Sequence, residues 1–152
     1  MLIYLARHGE TTGDVEDRYG GDYDDHLTEK GIIQAEELSK KLTGKGIEEI
    51  FASNRMRAQE TAKILQKNLG AEIRTVKELR ERNLYGILTG MIKSEAGEKY
   101  PHLVERINDV QDTIEGAEDW KVFVDRVVVA IKNISQKNYS RSRENCGLLA
   151  RR

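Results

Sequence analysis

The sequence Met1-Leu-Ile-Tyr-Leu-Ala6, followed directly by Arg7-His8-Gly9-Glu10-Thr11, is the stretch that decides the fold. An apolar run of about six residues, with β-branched and aromatic members, predicts a buried strand. Open α/β sheets bind ligands beyond the carboxyl ends of their strands, which is where Arg7 and His8 stand. An imidazole beside a guanidinium there indicates a nucleophile or base held next to an anion. A surface Arg-His pair after an edge strand fits the same residues.

The composition predicts one domain without a charged field of either sign. The chain has 152 residues, with 25 Lys and Arg against 26 Asp and Glu. That balance argues against nucleic acid or an anionic membrane as a partner. The apolar run at the start is too short to span a bilayer. A single cysteine, Cys146, excludes an internal disulfide and favours a reducing, cytoplasmic location.

Strand and helix patterns alternate through the first half of the chain. Thr28 is a suitable N-cap for a helix that ends near the glycines of residues 44–46. A second helix is expected to begin at Ser53 or Asn54 and to stop at Gly70. Apolar runs on either side of that helix predict two short strands, Ile47–Ala52 and Glu72–Val76. This alternation is typical of α/β folds.

Four motifs in order resemble the histidine phosphatase superfamily, the phosphoglycerate mutase-like proteins. They are the RHGET sequence from Arg7, the D-x-x-L-T-E-x-G element at Asp24–Gly31, the S-x-x-x-R-A sequence that ends at Ala58, and the L-x-E sequence that ends at Glu81. The resemblance implies a three-layer α/β/α phosphoglycerate mutase-like fold with a mostly parallel sheet. It also implies a short helical cap at residues 91–115, broken at Tyr100-Pro101.

The resemblance also implies a role for each candidate residue of the site. His8 would be the catalytic nucleophile and Glu81 the general acid, while Arg7 and Arg57 would hold the substrate phosphate. Asp14 is assigned to the same phosphate-binding set. It stands where the family often has an asparagine near the phosphate, and a carboxylate there would repel a dianion unless it is neutralised or turned away. No cofactor and no metal are implied, and the acidic loop at residues 22–26 has the spacing of neither a calcium nor a zinc site. The expected ligand is a small phosphomonoester or inorganic phosphate.

The end of the chain departs from the family pattern. The family supplies a further buried strand with a second essential histidine, whereas residues 138–152 contain no histidine and no apolar run of that length. We therefore expect a histidine phosphatase-like domain over residues 1–137 and an atypical, truncated or altered tail over residues 138–152. A shifted reading frame is one hypothesis for the tail. Without the missing strand, the first strand keeps an open edge that allows self-pairing, so a homodimer is one expected assembly.

The predicted function is hydrolysis of phosphomonoesters through a phosphohistidine at His8, impaired by loss of the second histidine. Two alternatives keep the same fold: an inactive phosphate-binding or interaction module, and phosphoryl transfer of the phosphoglycerate mutase type. A nucleotide-binding doubly wound domain ranks below these, because the chain has neither the G-x-G-x-x-G nor the G-x-x-x-x-G-K-[ST] loop.

Overall fold

The computed structural model describes residues 2–109 and 112–149, the stretch 137–149 as backbone only. The chain adopts an α/β fold, as predicted. In chain order the elements are α1 (Thr12–Val15), α2 (Glu29–Leu42), β1 (Glu49–Ala52), α3 (Met56–Leu69), β2 (Glu72–Thr75), α4 (Lys93–Lys99), α5 (Pro101–Arg106) and α6 (Trp120–Leu149). Two short 3-10 turns, Lys77–Leu79 and Gly86–Leu88, follow β2. In the described part of the chain, no helix is long and apolar enough to cross a membrane.

A β-α-β unit lies at the centre of the described structure. β1 and β2 pair in parallel, with Ile50 opposite Ile73, and α3 is the crossover between them. α3 packs on both strands and on α2. Parallel strands must be joined by a crossover, which is usually a helix. A strand pattern, a helix pattern and a second strand pattern therefore follow one another in the sequence, and this order predicted all three elements. The two predicted strands are confirmed within two residues at each end.

The ends of the helices follow the sequence signals in all but one place. The Thr28 side chain accepts a hydrogen bond from the amide of Gly31, and Gly70 stops α3 in the left-handed conformation at φ 68°. The predicted cap of α3 was wrong: Arg55, and neither Ser53 nor Asn54, is the N-cap, and its side chain makes no capping bond. A carboxylate from a distant loop takes over that function, because the amide of Met56 donates to Asp24 Oδ1 at 3.1 Å.

The predicted first strand is absent from the described structure. Residues 2–6 are not in a strand, and all of them are exposed, with Leu5 92% accessible. The prediction failed because a strand needs a hydrogen-bonded neighbour, and an isolated extended segment leaves its backbone groups to water. The strand that the family places beside it has no counterpart among the described residues, which form a sheet of two strands.

A cluster of buried apolar residues lies in and around the cap region. Its members are Tyr19, Leu88, Ala96, Leu103 and Ile114. α4 and α5 supply two of them, and the break between these helices at Tyr100-Pro101 is the predicted one. The cap therefore has a core of its own, which fixes the segment between β2 and α6 beside the candidate site.

The long helix α6 packs less completely than its apolar stripe predicts. Phe123, Val127 and Ile134 are half-buried, but Trp120 is 39% and Ile131 43% exposed. These two positions were predicted to be core, and the prediction was wrong. The backbone of α6 is helical on both sides of residue 137, the predicted domain boundary. Because the side chains of residues 137–152 lie outside the described part, that boundary stays a prediction.

Candidate functional site

Arg57 lies in the first turn of α3 and is the most enclosed member of the predicted site. It is 4% exposed. Its Nη1 donates to the carbonyl of Tyr23 and to Asp25 Oδ1, both at 2.9 Å. Its Nη2 donates to the carbonyl of Gly21 at 3.1 Å and to Glu81 Oε2 at 2.9 Å. The guanidinium thus has acceptors on both of its terminal nitrogens.

The two carboxylates on Arg57 differ sharply in their surroundings. The Asp25 side chain is 6% exposed, whereas that of Glu81 is 55% exposed. Asp25 therefore holds the inner side of the guanidinium, and Glu81 meets the side that faces solvent. The structure brings the predicted phosphate-binding arginine and the predicted general acid into direct contact, since Glu81 follows the turn after β2 and β2 runs parallel to the strand that leads into α3.

Tyr23 closes the inner side of this pocket. Its hydroxyl donates to Asp25 Oδ2 at 3.4 Å. Burial, together with the neighbouring Asp25 carboxylate, raises the pKa of Tyr23 to about 12, so the phenol keeps its proton and remains a donor at neutral pH. Gly13 allows this approach, because a Cβ at that position would lie 1.7 Å from the Tyr23 hydroxyl oxygen.

A second group of charges borders the pocket. Arg55 pairs with Asp22 and lies 3.7 Å from Asp24, and Arg80 reaches Asp22 at 3.8 Å. Burial, with repulsion from Arg57 and Arg80, lowers the pKa of Arg55 below its ordinary value. Three arginines therefore lie close enough to repel one another, and the acidic loop offsets their charge.

Sequence reasoning missed this role of the acidic loop. The run at residues 22–26 was considered only as a metal site, but its carboxylates face arginines. Among the side chains of residues 2–109 and 112–136, no three His, Cys, Asp or Glu groups meet in a way that could hold a metal ion. The arginines at the start of α3 and after β2 were the signal that could have predicted this pairing, because they are about as dense in the sequence as the carboxylates of residues 22–26.

His8 lies at the end of the exposed N-terminal segment and is half-buried. Its Nδ1 is 2.8 Å from the carbonyl oxygen of Gly9. A carbonyl can only accept, so Nδ1 carries the proton and, in the neutral ring, Nε2 carries the lone pair. The backbone contact thus selects the tautomer in which Nε2 can attack an electrophile. Arg7, beside it, is exposed.

The turn after His8 is held firmly against α2. The amide of Thr28 donates to the Glu10 carbonyl at 3.0 Å, and Lys30 Nζ donates to the Glu10 carboxylate at 2.7 Å. Gly9 and Gly31 permit this contact, because a Cβ at Gly31 would lie 2.0 Å from the carbonyl oxygen of Glu10. The anchorage begins at the residue after His8, while residues 2–7 are exposed.

Asp14 is directed into a helix cap. Its Oδ2 accepts from the amide of Thr11 at 2.9 Å and from the Thr11 hydroxyl at 3.0 Å, and the Thr11 hydroxyl caps α1 in return. Partial burial raises the pKa of Asp14, but the Thr11 hydrogen bonds and the electrostatic influence of His8 and Arg7 outweigh burial, and the net pKa is lowered. The carboxylate is ionised at neutral pH, with one oxygen committed to the cap.

The predicted residues thus form two groups in the described structure. Arg57 and Glu81 are in contact, and Asp14 lies within electrostatic range of His8 and Arg7. Among the described residues, no hydrogen bond or ion pair joins His8 to Arg57 or Glu81.

Comparison with known proteins gives a consistent result. The model of the histidine phosphatase superfamily (branch 1) matches residues 3–143. The probable phosphoglycerate mutase GpmB of Salmonella newport and that of Salmonella agona are each 33% identical over 132 residues, which is 86% of this chain and 61% of theirs. The chain therefore spans about three-fifths of the length of the curated relatives it matches.

Solved structures agree with the sequence matches. Bacillus stearothermophilus YhfR is 30% identical with a TM-score of 0.77, over 86% of this chain and 65% of its own. The alpha-ribazole phosphatase of Shigella flexneri is 26% identical with a TM-score of 0.76, over 87% and 66%. The mycobacterial glucosyl-3-phosphoglycerate phosphatase Rv2419c is 27% identical with a TM-score of 0.75, over 85% and 64%.

Proposed function

The chain belongs to the histidine phosphatase superfamily, branch 1, and from that premise we propose that it hydrolyses small phosphomonoesters through a phosphohistidine at His8. The observation that carries the proposal is the 2.9 Å contact between Arg57 and Glu81. It joins a cation suited to phosphate oxygens with a carboxyl group suited to proton transfer. The relatives named above include enzymes described as phosphatases and as a mutase.

In the proposed first step, the Nε2 lone pair of His8 attacks phosphorus. The new N–P bond forms as the ester P–O bond breaks, and Glu81 delivers its proton to the departing alcohol oxygen. Arg7 and Arg57 compensate the charge on the non-bridging oxygens. The hydrogen bond from Nδ1–H to the Gly9 carbonyl stabilises the ring as it becomes positive.

In the second step, water attacks the phosphohistidine. The Glu81 carboxylate takes a proton from the water, the P–N bond breaks, and phosphate leaves with His8 restored. The two steps release the alcohol and phosphate and restore the starting protonation state of His8 and Glu81. Transfer to an acceptor hydroxyl in place of water would give the mutase-type reaction.

We propose that no second histidine of this chain helps to hold the transferring group. Besides His8 the sequence has His26 and His102. His26 pairs with Glu60 at 2.6 Å, and His102 is exposed on α5. Loss of one preorganised donor of this kind lowers the rate by roughly a hundred- to a thousand-fold, so we propose a slow phosphatase.

The rival within the same fold is a phosphate-binding module without turnover. In this rival the Arg57 pocket holds phosphate, but His8 does not come within the roughly 3–3.5 Å of phosphorus that in-line attack requires. Inorganic phosphate would then be the ligand of the Arg57 pocket. The homodimer and the cytoplasmic location remain predictions.

Hydrolysis of p-nitrophenyl phosphate across a pH series tests the proposal, with the folded state of each protein checked by circular dichroism. We expect slow turnover that His8→Ala abolishes and that the matched His102→Ala control retains. Mass spectrometry of the acid-labile phosphoryl group should locate it on His8. Turnover equal in wild type and His8→Ala would contradict the hydrolase and leave the binding module.

A further inference from the structure

Asp25 is a buried carboxylate with no part in the proposed reaction. It lies between two motif positions, in the D-x-x-L-T-E-x-G element that begins at Asp24, and the motif itself leaves its identity open. Nevertheless it is 6% exposed and meets Arg57 Nη1 at 2.9 Å. Its second oxygen accepts from the Tyr23 hydroxyl, which keeps its proton at neutral pH.

The two ion pairs on Arg57 differ in how easily they separate. Removing one partner of a buried pair leaves an uncompensated charge and costs several kcal/mol, roughly 3–5. Solvent-exposed pairs contribute about 0–1 kcal/mol. The pair with Asp25 is of the first kind, and Glu81, at 55% exposure, approaches the second. An anion arriving from solvent therefore competes with Glu81 and not with Asp25.

We propose that Asp25 is a positioning residue that fixes the inner side of Arg57 and moderates its affinity for phosphate, while Glu81 occupies the open side until phosphate displaces it. The inference rests on the proposed function and deepens it. Phosphate binding then does two things at once: it fills the Arg57 site and releases Glu81 for proton transfer. In the ligand-free protein Glu81 is the internal substitute for the substrate anion.

The charges give the proposal a direction that can be measured. Replacing Asp25 by Asn keeps an oxygen acceptor for Nη1 but removes one negative charge beside Arg57. The added positive field acts on the two charges of a phosphate dianion and on the single charge of Glu81, so it favours phosphate in the competition. Asp25→Asn should therefore bind phosphate more tightly, which a residue with a purely structural function would not do.

Calorimetric titration with inorganic phosphate at neutral pH tests this on the full chain. We expect Asp25→Asn to bind about tenfold more tightly than wild type, a change of roughly 1.4 kcal/mol. The matched control is Asp17→Asn, which removes the same charge at a residue whose side chain is 69% exposed and pairs with Lys93. There we expect a change below about twofold, because exposed charges are screened.

Glu81→Gln tests the displacement step and replaces Asp25→Asn if that variant does not fold. Removing the competing charge should tighten phosphate binding several-fold. Equal affinities in Asp25→Asn and Asp17→Asn, or weaker binding in Asp25→Asn, would overturn the positioning function, and unchanged affinity in Glu81→Gln would overturn the displacement. None of these titrations requires turnover, so the hydrolase can fail through the His8→Ala assay while this inference stands, and the reverse also holds.

Discussion

The pocket around Arg57 and the segment of residues 2–8 carry two parts of one motif set, but the chain encloses only the first. Arg57 is 4% exposed, with acceptors from the loop before α2 and from the segment after β2. Residues 2–6 have a sequence typical of a core strand, but all of them are exposed. The described chain supplies the partners that enclose Arg57. It does not supply the neighbouring strand that the first strand needs, and this accounts for the difference.

The largest expected effect is the loss of the buried pair. Arg57→Leu leaves the Asp25 carboxylate buried without its cation, and should lower the free energy of unfolding by about 3–5 kcal/mol. Arg74→Leu is the matched control, because Arg74 pairs with Glu49 and Glu72 while 41% exposed, and it should cost below about 1 kcal/mol. Urea denaturation measures both. Similar losses in the two variants would mean that the pocket is not enclosed as described.

The next effect tests where the N-terminal segment is anchored. In Gly31→Ala the new Cβ would lie 2.0 Å from the carbonyl oxygen of Glu10. The turn after His8 must then move away from α2, and we expect a loss of about 1–3 kcal/mol. Gly97→Ala, in α4 with nothing within 4 Å of its Cβ, should instead stabilise by about 0.5–1 kcal/mol. A neutral Gly31→Ala would show that the turn is not held.

A smaller effect separates charge from packing on the other side of the pocket. Hydrogen bonds from Arg126 are the largest influence on Glu118; partial burial opposes them, and the pKa of Glu118 is net lowered from its ordinary 4.5. A lowered pKa contributes stability that is present above the ordinary value and is lost as pH falls through the lowered one. Glu118→Gln should therefore cost about 1–2 kcal/mol at pH 7, and less as the pH falls below 4.5.

Urea denaturation at several pH values measures the Glu118→Gln difference. The control is Glu36→Gln, an exposed position on α2, where we expect a change within about 0.5 kcal/mol at every pH. A Glu118→Gln penalty that stays constant down to acid pH would assign the contact to packing and not to ionisation.

The smallest expected effect bears on the N-terminal segment itself. Leu5→Ala should change the free energy of unfolding by less than about 0.5 kcal/mol, since Leu5 is 92% exposed. The same truncation at Leu88, fully buried in the cap core, should cost about 2–5 kcal/mol. A cost above about 1 kcal/mol at Leu5 would mean that residues 2–6 pack as a strand in solution, and the contrast between the two regions would disappear.

Sequence reasoning succeeded where the deciding signals are local. The cap at Thr28 and the glycine stop at Gly70 each depend on only a few neighbouring residues. The two strands around α3 follow from one alternating pattern of strand and helix. It failed at the cap of α3, because the carboxylate that serves its first amides comes from Asp24, 32 residues earlier in the chain. It also failed for the first strand, since strand formation depends on a neighbour and not on composition.

By itself, the sequence determined the family, the α/β class and the residue types of the site, because motif order and hydrophobic period are properties of the chain alone. Only the tertiary structure decided that Arg57 is shared between a buried Asp25 and an exposed Glu81. The physical reason is distance along the chain. Arg57 meets acceptors 24 to 36 residues away, and no local pattern specifies which of several carboxylates a buried guanidinium will select.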